Sequence, residues 1–329
     1  MSSGDFMEEQ FMQAKQLVDE KYSEEDPYYG VYVLGMYGLI RKYPHHLSFI
    51  QKLFRKTEII IEKGLISKTL QKHNLSFQDI DEREEQQLAA NGGSLPAISY
   101  SGIFYFIDRS NHFKRADGNP LVIVNGLCPP SFLLNSFIHE MNHMIKSQKH
   151  AFQIEKKAGI ERCSIRNGME VSIYEMYPNS DDIDEMTSYN IFDEAINTIQ
   201  TSEMIQDILA LDGIIPIPCV QEFLDSCDKD DFEDDPMYQD VIEVTLPLLK
   251  NPHFRSLVDE NLIIGHLKPI EEDFESKLGK GSLMNFSDLL DELEDECSYS
   301  NDSKRKKALK RQIAKYVQAY NEKSYAYQK

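Results

Sequence analysis

The chain is short of paired cysteines, of basic charge and of long apolar runs, and each shortage removes a class of function. Its five cysteines, Cys128, Cys163, Cys219, Cys227 and Cys297, are an odd and scattered set without a CxxC pair. That spacing argues against a thiolate metal site or a dithiol redox motif and predicts reduced thiols in a cytoplasmic protein. Lysine and arginine number 35 against 55 acidic residues, a formal charge of −20. Binding to phosphate backbones and anionic lipids needs clustered cations, so neither nucleic acid nor a membrane surface is an expected partner. The longest apolar stretch, Tyr28 to Ile40, carries two glycines. It is shorter than the roughly 18 residues of a membrane span and reads as a buried core helix. The N-terminal residues MSSGDFMEEQFMQAKQ lack the basic start and apolar run of a secretory signal.

What is present is enough for a sizeable core, with 41% hydrophobic residues in 329. Apolar residues recur at helical spacing through Phe6, Phe11, Ala14 and Val18 and again through Phe49, Leu53 and Ile59. Residues 1–92 are therefore expected to form a helical N-terminal region, broken at Asn91-Gly92-Gly93. Between Pro96 and Gly126, AISYSGIFYFI and LVIVNG are rich in β-branched and aromatic residues and predict a small sheet. Cys128-Pro129-Pro130-Ser131 then opens a helix, because a first turn tolerates proline, and apolar residues continue through Ile145. ERCSIR and MEVSIYEMY flank Asn167-Gly168 as the arms of a hairpin. After an acidic loop SDDIDEM, a helix is expected from about Tyr189 to Leu211, ended by Asp212-Gly213 and Pro216. Helical segments near 219–226, 236–250, 252–262, 268–277, 286–297 and 303–323 complete the chain. The expected class is α+β and helix-rich, with domains at 1–92, 93–213 and 214–329.

The chemistry concentrates in His139-Glu140-Met141-Asn142-His143. Two imidazoles four residues apart on a helix lie one turn above each other on one face and can share a zinc ion. Glu140 projects at an adjacent angle, where it can accept a proton from water without becoming a ligand. An apolar helix bears the motif and a β-rich segment precedes it. His150 is seven residues beyond His143, about 10 Å further along the helix, and is read as a surface residue.

Residues 96–211 resemble the zincin metallopeptidases, in the gluzincin branch, where a glutamate on a following helix is the third protein ligand. The longer pattern HExxHxxGxxH fails here, because Lys146 stands for the glycine and Lys149 for the last histidine. Asn190-Ile191-Phe192-Asp193-Glu194-Ala195 is similar to the stretch around the gluzincin third ligand. The resemblance thus implies Zn2+ on His139, His143 and Glu194, with Asp193 as the competing ligand and a zincin-like catalytic core at 93–213. Gluzincins commonly carry a carboxylate one turn beyond the ligand to orient a histidine, whereas Asn197 and Thr198 stand there. The resemblance also implies a Tyr or His that stabilises an oxyanion, for which Tyr238 is the first candidate and His253 and His266 are alternatives. The implied activity is zinc-dependent peptide hydrolysis, with Glu140 as general base and the peptide or protein substrate extended along an edge strand within Ile98 to Ile107; the acidic chain and the expected cytoplasmic setting suggest a restricted substrate range. The rival reading is a non-catalytic zincin-fold interaction or regulatory protein with a structural or occluded metal site. The acidic run Asp225 to Asp240 lacks the glycine and glutamate spacing of a calcium loop. Lys304-Arg305-Lys306-Lys307 reads as a basic helix facing the acidic DLLDELEDE helix before it.

Overall fold

The apolar stretch beginning at Tyr28 forms helix α2 (Tyr29–Lys42), buried at every position from Tyr29 to Ile40. A helix apolar on all sides must be surrounded by other elements. A computed structural model describes residues 3–73, 85–86, 97–107, 112–147, 152–157, 159–177, 183–232, 238–300 and 302–326. The expected Asn91-Gly92-Gly93 break and His150 lie outside these. The chain divides into two compact units, one made of residues 1–102, 119–142 and 201–234, the other of 103–118, 143–200 and 235–329. The helix bearing the HExxH pattern and the helix bearing Glu194 each contribute residues to both.

The first unit holds α1 (Ser3–Asp19), α2, α3 (Leu47–Lys56), α4 (Ile66–Lys72), strand β1 (Glu58–Glu62), β2 (Ala97–Tyr100) and β5 (Leu121–Asn125). It also holds most of α5 (Pro130–Lys146), the end of α6 (Asn190–Leu209) and α7 (Pro218–Ser226). The three strands form one sheet in the order β1-β5-β2, parallel between β1 and β5 and antiparallel between β2 and β5. β1 lies in the region read from sequence as helical. Its three consecutive isoleucines favour a pleated ladder once β5 supplies the partner backbone, and this parallel pairing is remote in sequence. α2 meets α5 closely at Gly35, where a Cβ would come within 2.5 Å of the Phe137 ring. Tyr32 packs edge-on against Phe137.

The second unit holds hairpin β3 (Ile103–Ile107) and β4 (Phe113–Asp117), and an antiparallel sheet in the order β6-β7-β8-β9. Its strands are β6 (Phe152–Lys157), β7 (Ile160–Asn167), β8 (Glu170–Met176) and β9 (Ile183–Ser188). Its helices, besides the start of α6, are α8 (Gln239–Leu249), α9 (Pro252–Asn261), α10 (Lys268–Leu278), α11 (Ser282–Tyr299) and α12 (Ser303–Ala326). Residues 96–126 thus supply strands to two separate sheets rather than one. The expected hairpin across Asn167-Gly168 is present as β7–β8, pairing Asn167 with Glu170. Most of the expected acidic loop is instead β9, whose exposed Asp184 and Glu185 suit an edge strand because charge discourages further pairing. Phe192, Ala195 and Ile196 of α6 enter a core built with Phe254, Phe274, Phe286 and Tyr320. The basic start of α12 meets the acidic helix before it as read from sequence, with Arg305 3.4 Å from Glu296, while Lys310 turns instead to Asp240 of α8 at 2.6 Å.

The fold is therefore helix-rich α+β with small sheets. No helix among the described residues is long and apolar enough to cross a membrane, and all five cysteines are thiols outside any disulfide.

Candidate metal centre

Helix α5 presents its motif because one side is firmly held. Leu134, Phe137, Ile138, Met141 and Ile145 are fully buried. Asn142, inside the motif, accepts a 2.8 Å hydrogen bond from the Tyr43 hydroxyl. At the other end Ser131 donates to Asp231 at 2.7 Å. His139 and Glu140 remain partly exposed, while His143 retains only 5% of its surface. On α6, Phe192 and Ala195 point into the core and leave Asp193 and Glu194 to turn towards His143.

His139, His143 and Glu194 come together, each offering one ligand atom, with all three atoms within 4.8 Å of one another. The His143 ring is bracketed by carboxylates: Nε2 lies 3.2 Å from Glu194 Oε1 and Nδ1 lies 3.2 Å from Asp193 Oδ2. The second is an ion-pair distance, without the alignment of a full hydrogen bond. Burial alone would lower the His143 pKa, but the Glu194 and Asp193 carboxylates outweigh it and push the imidazole well above its usual range.

Asp193 is buried and answers to several partners. Its Oδ1 accepts a 2.7 Å hydrogen bond from the Met169 backbone N–H, in the turn of hairpin β7–β8. Burial would raise its pKa, but the charge of Lys146 and the contact with His143 hold it below the usual carboxylate range. Lys146 is itself buried and donates to Asn197 Oδ1 at 2.9 Å. In the same turn, Arg166 donates to the Gly168 carbonyl at 2.8 Å. Burial lowers the Arg166 pKa to about 10 against the opposing pull of Asp193. Glu170, just beyond the turn, is driven up to about 7 by burial and by the neighbouring Asp193 and Glu194 charges.

Two imidazoles and a carboxylate are a set that could hold a metal ion, zinc among those they suit. Tetrahedral Zn2+ with bonds of about 2.0–2.1 Å places neighbouring donors about 3.3 Å apart. The separation of His143 Nε2 from Glu194 Oε1 matches such an edge. Asp193 occupies the other side of the ring, where a carboxylate fixes Nδ1 as the protonated nitrogen and leaves Nε2 as the ligand.

Of the other sequence candidates, none is among the three residues whose ligand atoms converge. Tyr238 precedes α8 with a left-handed backbone (φ 60°), its side chain packed against the core around Phe192. His253 on α9 pairs with Asp273 of α10 at 2.8 Å, and His266 is exposed beyond α9. Lys146 and Asn197, which depart from the family patterns in the sequence, pair with each other. The signal in the sequence is that Lys146 stands seven residues beyond His139, on the ligand face of the helix. Nothing in the spacing of Glu170 or Gly168 connects either to Asp193.

Comparison with known proteins gives no match, since no family model, curated protein or solved structure matches the chain.

Proposed function

We propose that the chain is a zinc-dependent hydrolase with a zincin-like core, a metallopeptidase of gluzincin type acting on extended peptide or protein segments. The observation that carries this reading is the convergence of His139, His143 and Glu194, with the His143 ring held between Glu194 on Nε2 and Asp193 on Nδ1. His139, His143 and Glu194 would hold the ion. Bound zinc would supply Lewis-acid polarisation and make water acidic enough to ionise near neutral pH.

The chain's own residues do the rest. Glu140 takes the proton of the attacking water and returns it to the leaving amine, a role suited to its partial exposure beside His139. Asp193 keeps the His143 ring in one orientation, and Lys146 offsets the buried negative charge of Asp193. Among the described residues β2 stands at the edge of its sheet, and an extended substrate backbone would pair along such a strand. Tyr238 stays a candidate for oxyanion stabilisation on the family resemblance alone. A restricted substrate range suits an enzyme that works among other cellular proteins.

Glu140→Gln tests the reading. The variant should fold and retain zinc but lose about 100-fold or more of its cleavage rate. Lysates treated with wild type and variant, compared by peptide mass spectrometry, should show cleavage products specific to the wild type. Identical products from both would contradict the reading.

A further inference from the structure

The turn that joins β7 to β8 touches the side chain that orients His143. Gly168 there has a left-handed backbone, φ +65°. A Cβ at this residue would fall 2.7 Å from Asp193 Oδ2 and closer still to Oδ1. The next residue, Met169, donates its N–H to Asp193 Oδ1, and Arg166 closes the turn by donating to the Gly168 carbonyl. The bare Cα surface of Gly168 and the Met169 amide therefore form a seat for one carboxylate, whose other oxygen lies 3.2 Å from His143 Nδ1.

We infer that Gly168 is a positioning residue for the candidate metal centre: the β7–β8 turn sets the Asp193 carboxylate, and through it the His143 ring. The inference rests on the metal reading proposed above. An Asn-Gly turn needs a left-handed residue for the hairpin alone, but a hairpin does not require a carboxylate packed against the glycine. Displacing that carboxylate by an ångström would rotate or release the imidazole and misdirect Nε2. Loss of such an outer partner typically weakens metal binding by about 10–100-fold.

The test compares Gly168→Ala with Gly213→Ala in the full chain. Gly213 has a similar left-handed backbone (φ +73°) but nothing within 4 Å of its Cβ position. It therefore carries the backbone strain without the carboxylate contact. Zinc affinity, read by chelator competition, should fall about 10–100-fold in Gly168→Ala and stay within about twofold of wild type in Gly213→Ala. Gly168→Ala combined with Asp193→Ala should bind no more weakly than Asp193→Ala alone, because the turn acts through that carboxylate. If Gly168→Ala does not fold, Gly168→Asn replaces it, since asparagine tolerates the left-handed region while still bringing a Cβ. The ring nitrogen resonances of His143 in metal-free protein give a second readout, expected to move for Gly168→Ala and not for Gly213→Ala. A wild type that takes no zinc would contradict the metal reading, and the resonances alone would then decide the positioning. Unchanged resonances and zinc affinity in Gly168→Ala, or additive losses in the double variant, would overturn the inference.

Discussion

His143 and His253 each meet an aspartate within the same unit, His143 Nδ1 at 3.2 Å from Asp193 and His253 Nε2 at 2.8 Å from Asp273. The surroundings separate them. Asp273 also receives Lys277 and the Tyr320 hydroxyl, so its carboxylate is shared among groups that the protein itself supplies. Burial would raise the Asp273 pKa, but these partners hold it below the usual range. This cluster ties α9, α10 and α12 together. At His143 two carboxylates bracket one ring, Glu170 adds a third acidic group nearby, and the second imidazole of His139 joins the same set. A histidine beside an aspartate is thus no metal site by itself. What distinguishes His143 is that its ring shares its surroundings with a second imidazole and with Glu194, and the ligand atoms of the three could hold a metal ion.

The largest effect that would sharpen this contrast is on metal affinity. Asp193→Ala should weaken zinc binding by about 10–100-fold through loss of an orienting partner, and Glu194→Ala by clearly more than that through loss of a ligand. Chelator competition gives both values, and the reverse ranking would transfer the ligand role to Asp193.

The second effect concerns the closed cluster. Asp273→Ala leaves the buried Lys277 ammonium without its anion and should cost about 3 kcal/mol of stability. Urea denaturation measures this, and the zinc content of the folded variant should be unchanged. Loss of zinc at full stability would mean that the two histidine clusters are not separate.

A third effect depends on pH. Glu170 has a folded pKa of about 7 against an ordinary 4.5, so its ionised form is disfavoured in the fold. Its contribution is fully present below about pH 4.5 and is lost as pH rises through 7. In metal-free protein Glu170→Gln should therefore be more stable than wild type above pH 7, by about 3 kcal/mol, and equal to it near pH 4. Denaturation across that range checks the sign, and a gain that grows towards low pH would contradict it.

Much of this arrangement is legible in the sequence because it is local. The HEMNH spacing needs only a helix to place two imidazoles on one face, and the apolar run from Leu133 to Ile145 supplies that helix. Asn167-Gly168 marks its own turn, and the helix bearing Glu194 ends near its glycine and proline signals. The parts that depend on distant partners are not legible. The isoleucines of β1 fit a helical apolar pattern as well as a strand until β5 is known to lie beside them. β9 reads as an acidic loop until β8 offers it a ladder. Asp193 looks like a competing ligand, and its place behind His143 follows only when the β7–β8 turn packs against the start of α6.

The most direct measurement is the zinc content of purified wild type beside His143→Ala and His253→Ala, determined by elemental mass spectrometry. The account predicts about one zinc per chain in wild type and in His253→Ala, and essentially none in His143→Ala. A wild type that neither carries nor takes up zinc, or a His143→Ala protein that retains it, would contradict the account.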